Sequence, residues 1–245
     1  VILVLGGTAE ARELAVLLQD AGLEFCSSLA GRVARPRLPV GRVRVGGFGG
    51  VEGLRDHLRA AEVRAVVDAT HPFASGISAN AAAACSEADV PLLRLERPGW
   101  SAAPGADLWH WVSGHDEAAS TSAELGRRPF LTIGRQSLGR FTGPLATHEA
   151  LVRVVDPPEV ALPPRWRVVL NRGPYSVEDE RRVFAEHAAD VLVTKDSGGS
   201  FTWSKMAVAD ELGVPVVVVR RPGVTRGVAR EDTADAASEW VRALT

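Results

Sequence analysis

A chain of 245 residues is long enough for one large domain or two small ones, and 46% hydrophobic residues supply ample core material. With 24% charged residues and a net charge of −2, disorder is excluded and a broad basic face for nucleic acid or membrane finds no support. No apolar run approaches the ~20 residues of a membrane span, and no basic leader with a cleavage site is present, so a soluble, cytoplasmic protein is expected.

In chain order, strand-like runs occur at "VILVL", "EFCSSLA", "RVRV", "RAVVDAT" and "PLLRLE", with helical patterns near 9–21, 51–61 and 74–88. Thr8 suits the N-cap of the first helix and Gly22 its C′ stop. Continuous apolar strands alternating with helices imply a parallel sheet covered on both faces. "LERPGWSAAPGADL" then breaks the rhythm, which sets the boundary between a domain at 1–99 and a second at 100–245. Beyond it, strands are expected at "LWHWV", "PFLTIG", "ALVRVV", "WRVVLN", "DVLVTK" and "PVVVVRR". A helix near 176–188 opens on Ser176 and Asp179 in a capping-box pattern, and a last helix, "DTADAASEWVRAL", is able to cap either domain. The fold class is α/β: two lobes with parallel sheets and an interdomain cleft. Cys26 and Cys85 lack CxxC spacing and are expected as buried free thiols.

The opening strand runs into "GGTAE" and a helix, a combination suited to phosphate. Gly6 and Gly7 allow a tight turn and close backbone approach, while Thr8, Ala9 and Glu10 begin a helix whose free N–H groups face an anion. The spacing is not GxGxxG, because Ala11 stands where the third glycine would fall. At the end of the second strand, where NAD sites usually place a carboxylate, the chain has Gly31 and Arg32. An arginine there suits a 2′-phosphate and favours NADP(H) over NAD(H). "GGFGG" (46–50), with Gly47 and Gly49, lets backbone lie against the adenosine half. The fourth strand ends in "DATHPFA", which puts Thr70 and His71 at the nicotinamide end of the crevice.

Together, "GGTAEAR", "AGR", "GGFGG", "DATHPFA", "LRLERPGW" and "VTKDSGG…WSKMAVADELGVPVVVVRRP" resemble the precorrin-6A reductase family of cobalamin biosynthesis, from the first strand to about residue 222. The resemblance implies two Rossmann-like lobes, NADPH on the first, and reduction of one double bond in the macrocycle of precorrin-6A to give precorrin-6B. It implies a tetrapyrrole substrate, no nucleic acid, no membrane and no metal, and it leaves room for other cobalamin-pathway enzymes as partners. A macrocycle rich in carboxylates calls for local positive charge. Candidates in the second lobe are Arg135, Arg140, Arg172 and "TKDSGGSFTWSK", with Lys195, Ser197, Gly198 and Lys205. Of 28 basic residues only these two are lysines. The proton is expected from water or from a group such as His71 or Asp196.

Other classes fail on their signatures. The single tyrosine, Tyr175, is followed four positions later by Asp179 rather than lysine, which excludes a short-chain dehydrogenase. No HExxH or GxSxG occurs. A methyltransferase cofactor has no 2′-phosphate to match Arg32. The remaining alternative is a non-catalytic NADPH-binding sensor.

Overall fold

The computed structural model describes residues 1–31, 34–223 and 227–244. The chain divides into two compact units, Val1–Pro98 with Pro222–Thr245, and Gly99–Arg221. The first unit begins β1 (Ile2–Leu5), α1 (Ala9–Asp20), β2 (Phe25–Leu29), β3 (Arg42–Val45), α2 (Gly50–Ala60), β4 (Ala65–Asp68), α3 (Ser75–Ala88) and β5 (Leu92–Leu95). The second unit runs β6 (His110–Val112), α4 (His115–Leu125), β7 (Pro129–Leu131), β8 (Leu151–Val154), β9 (Arg167–Leu170), α5 (Val177–His187), β10 (Val191–Lys195), α6 (Ser204–Glu211) and β11 (Val216–Val219). The chain then returns to the first unit with β12 (Ala229–Glu231) and α7 (Ala234–Ala243).

Both sheets have six strands, all pairings are parallel, and their orders are β12-β5-β4-β1-β2-β3 and β6-β11-β10-β7-β8-β9. Read from β3, the first sheet has the doubly wound order 3-2-1-4-5-6, with β12 as sixth strand. Read from β9, the second has the same order, and β6, which precedes the other five in sequence, fills the sixth place. The strand order therefore reverses at β1/β4 in one sheet and at β7/β10 in the other.

The apolar pattern explains how the first sheet is covered. Ile2 and Val4 pack with Leu14, Leu18, Ala237 and Val241 on one face, and Leu3 and Leu5 pack with Leu54, Leu58, Ala81 and Ala84 on the other. In the second unit Phe130, Phe184, Met206 and Val218 share one cluster. Thr8 caps α1 by accepting from Ala11 N at 3.1 Å, and Gly22, with φ +68°, follows its end in the left-handed region. Ser176 caps α5 by accepting from Asp179 N at 3.0 Å; its hydroxyl donates to Asp179 Oδ2 at 2.7 Å.

One boundary differs from the sequence reading. The second domain ends at Arg221 rather than 245, because Pro222–Thr245 belongs to the first unit. β12 covers the open edge of β5, and α7 buries Ala234, Ala237 and Val241 beside α1. No helix among the described residues is long and apolar enough to cross a membrane.

Candidate functional site

In a doubly wound sheet, ligands bind beyond the carboxyl ends of the strands where the order reverses. At β1/β4 that position is formed by the glycine turn. Gly6 N donates to Ser28 O at 2.9 Å, and a Cβ at Gly6 would sit 3.4 Å from the Cβ of Ala11. Ala11 is thus the small residue that lets helix and strand meet, and it stands where a third glycine would serve that purpose. Gly7 has φ +119°, and a Cβ there would meet nothing within 4 Å, so the turn is both strained for other residues and open to a ligand. Thr8 Oγ1 donates to Ala69 O at 2.7 Å, fastening the turn to the loop after β4. Its hydroxyl proton is therefore engaged within the protein. Ala9 opens α1, and Glu10 pairs with Arg97 at 2.8 Å, which neutralises a carboxylate beside the helix N-terminus.

Beyond β3 the backbone is again unhindered, while beyond β2 it is close-packed. Gly31 has φ +73° and would bring a Cβ within 3.2 Å of Val45; Arg32 lies outside the described residues. Side chains added at Gly46, Gly47, Gly49 or Gly50 would meet nothing within 4 Å. Arg44 shapes this loop by donating to the carbonyls of Gly46 and Gly47, both at 2.6 Å, and its guanidinium lies 3.9 Å over the Phe48 ring. It also donates to Ser28 Oγ at 3.3 Å, which links β3 to the end of β2. Arg37 lies near enough to Arg12 that, after burial, its charge lowers the Arg12 pKa. Arg44, after burial, similarly lowers that of His57. Positive charge is therefore concentrated around the ends of β2 and β3.

The loop after β4 is held by a buried knot. Asp68 Oδ1 accepts from Thr70 N at 3.1 Å and Thr70 Oγ1 at 2.7 Å; Arg94 Nη1 reaches Asp68 Oδ2 at 2.8 Å and donates to Thr70 Oγ1 at 3.1 Å. Thr70 thus fixes the shape of the loop after β4. His71, half-buried, accepts from Phe73 N through Nδ1 at 3.2 Å, so the proton of the neutral ring sits on Nε2.

At β7/β10, Lys195 ends its strand beside Gly134: a Cβ at Gly134 would lie 3.6 Å from Lys195 Nζ. Arg135 follows Gly134 and pairs with Glu159 at 3.2 Å, while Ser197 and the left-handed Gly198 follow Lys195. These four candidates come together at the second reversal point. Arg140 sits at the end of the 3-10 turn Arg135–Arg140, exposed and paired with Asp116 at 3.0 Å. Arg172 follows β9, two strands from β7, and does not join that group. Burial pushes the Lys195 ammonium down to about 8.

Two candidates lie deeper than surface ligand groups. Lys205 is the second residue of α6, 3% exposed, donating to Thr202 O at 2.7 Å and lying 4.9 Å over the Trp100 ring. An ammonium so enclosed is held by the fold itself, through a carbonyl and an aromatic face. Asp196 is 6% exposed; it accepts from Trp100 N at 2.9 Å, lies 3.5 Å from Arg221 Nε, and a Cβ at Gly99 would come within 2.5 Å of it. It ties Trp100 near the start of the second unit to Arg221 at its end. Arg44, Asp68, Arg94 and His115 went unnoticed. Asp68 and Arg94 carry a sequence signal, since each is a charge inside an otherwise apolar central strand.

The strand order, the glycine turn and the capped helix behind it define the class: a doubly wound α/β protein of Rossmann type, built from two such units. Comparison with known proteins narrows this. A family model described as precorrin-6x reductase CbiJ/CobK matches residues 1–242. The chain is 50% identical over 245 residues to a precorrin-6A reductase of Rhodococcus erythropolis, covering 100% of this chain and 98% of the relative. It is 48% identical over 246 residues to one of Mycobacterium tuberculosis, covering 99% and 98%. A solved structure, CobK precorrin-6A reductase, superposes with a TM-score of 0.92 at 40% identity, covering 99% of this chain and 96% of that one. The chain belongs to the precorrin-6x reductase family, reductases of cobalamin biosynthesis.

Proposed function

We propose that the chain reduces one double bond in the macrocycle of precorrin-6A to give precorrin-6B, using NADPH bound by the first unit and presenting the second unit to the macrocycle. The observation that carries the cofactor assignment is the first reversal point. Gly7, Gly46, Gly47, Gly49 and Gly50 leave open space against backbone there, the N-terminus of α1 is capped behind it, and Arg44 lies near the end of β3 while Arg37 lies close to Arg12 on α1. Free N–H groups at the helix start suit the pyrophosphate, and Arg32 with Arg44 suits the 2′-phosphate. When bound, NADPH supplies a hydride. The chain's part is positioning: Thr8 and the Asp68–Arg94 pair hold the two loops in fixed register, and His71, next to Thr70 on the loop after β4, is assigned to the nicotinamide half. In the second unit Lys195, Arg135 and the Ser197–Gly198 backbone offer cationic and N–H groups to the macrocycle's carboxylates.

Anaerobic incubation of the protein with precorrin-6A and NADPH, with both absorption spectra followed, tests this. Equimolar loss of NADPH and conversion of the macrocycle is expected. Macrocycle and NADPH both persisting with folded protein would contradict it.

A further inference from the structure

Reducing a C=C or C=N bond adds a hydride and a proton, and the proton must come from water or from a group of the protein. We propose that Lys195 is that proton donor; this rests on the function proposed above. The hydride forms a C–H bond at an electron-poor ring carbon. The displaced electron pair settles on the conjugated partner atom, which takes a proton from the Lys195 ammonium. The N–H bond breaks, and the neutral amine recovers its proton from water before the next turnover. The nicotinamide is oxidised by two electrons, the macrocycle is reduced by two, and lysine returns unchanged.

Position is the first argument. Lys195 is the last residue of β10, at the point where the second sheet reverses its order, and its Nζ stands next to Gly134, whose left-handed backbone carries no side chain to bar a ligand. Chemistry is the second. The chain uses 28 basic residues, and only positions 195 and 205 hold lysine. Arginine does not release a proton in this range, whereas a half-buried lysine does. Lys205 is fixed in the first turn of α6 by Thr202 O and the Trp100 ring. Elimination is the third. Asp196 is engaged at Trp100 and Arg221, and Arg135 and Arg140 face Glu159 and Asp116. Charged groups on the neighbouring elements include His115, Asp116 and Glu117 on α4, Arg135 and Arg140 after β7, Arg220 and Arg221 after β11, and Asp196 itself. His115 lies close enough that Lys195 contributes to lowering its pKa, second only to burial. Desolvation places the ammonium near 8, where an acid is still loaded at neutral pH and parts readily with its proton.

The test compares Lys195→Arg, Lys195→Met and the wild type. Macrocycle affinity is measured without NADPH, by tryptophan fluorescence quenching, and kcat is measured separately. Lys195→Arg keeps the charge, so its affinity is expected within 3-fold of wild type while kcat falls at least ~100-fold. Lys195→Met is expected to lose both. Lys195→Arg with near wild-type kcat would show that the residue is only an anchor for carboxylate and overturn the proposal. The wild type supplies a readout independent of folding. Its kcat is expected to be constant at low pH and to fall as pH rises through about 8; a kcat unchanged well above that pH would also overturn it. With only two lysines, reductive 13C-methylation gives two ε-amine signals, and the Lys195 signal is expected to titrate near that value and to shift when macrocycle binds. If the wild type fails to consume NADPH with precorrin-6A at all, the proposed function fails; if it turns over and Lys195→Arg does too, only the proton-donor assignment fails.

Discussion

The two reversal points have the same strand order but different exits. After β1 the chain turns through Gly6 and Gly7 into a 12-residue α-helix with a threonine cap. After β7, Gly134 leads into the 3-10 turn Arg135–Arg140, and no α-helix follows before β8. A helix N-terminus gathers aligned N–H groups and a partial positive charge, which a short 3-10 turn supplies poorly. The first reversal point therefore suits a phosphate held by a helix N-terminus, whereas the second presents side chains, Lys195 and Arg135, beside the Ser197–Gly198 backbone. Equal topology does not make equal sites; the residues following one strand decide.

The largest effect that sharpens this comparison concerns a buried ion pair in each unit. Arg94–Asp68 braces the loop after β4, while Arg153–Glu180, 6% and 0% exposed at 2.8 Å, ties β8 to α5. Arg94→Met and Arg153→Met should each destabilise by about 3–5 kcal/mol, because an uncompensated carboxylate stays buried. Denaturant unfolding measures both. Only Arg94→Met should also weaken NADPH binding in the folded fraction; an equal loss in both variants would mean that the brace has no local role.

Charge at the ends of β2 and β3 gives the next largest effect. Arg32→Ala should weaken NADPH about 10- to 100-fold and barely change NADH, since each charge-assisted bond to the 2′-phosphate contributes roughly 1.5–3 kcal/mol. Arg44→Ala should weaken both cofactors, because it also releases the Gly46 and Gly47 carbonyls. Calorimetry with the two cofactors separates these outcomes.

The smallest effect is pH-dependent. His187 and His115 in the second unit and His57 in the first all have pKa values lowered, chiefly by burial. A histidine kept neutral by the fold contributes stability that is complete above its unfolded value of about 6.5 and is lost as pH falls through the folded value. Tm should therefore drop by a few degrees on acidification below that point. His187→Gln should flatten the drop most, as His187 is the most deeply buried of the three.

Much of this arrangement was legible in the sequence. The alternation of apolar strands with helices gave two parallel sheets, and "GGTAE" marked the first turn, because glycine, threonine and strand-end position act locally. What could not be read depends on long-range pairing. β12 is three residues whose place is set only by the open edge of β5. Lys205 and Asp196 stood in a motif that looked like an anion site, yet their partners, Trp100, Gly99 and Arg221, lie at the far ends of the unit's chain. Arg94 and Asp68 showed as charges in apolar strands, but only the pairing of β4 with β5 brings them together.

The division of labour between the two reversal points is tested most directly by equilibrium binding of NADPH and of macrocycle to a matched pair, Gly7→Val and Gly134→Val. Both positions have left-handed backbone, at φ +119° and +81°, so both variants carry comparable strain. The expected result is crossed: Gly7→Val loses NADPH by roughly 100-fold or more and keeps macrocycle, while Gly134→Val weakens macrocycle and keeps NADPH. A folded Gly7→Val that binds NADPH like the wild type, or a Gly134→Val that loses NADPH instead, would contradict the assignment.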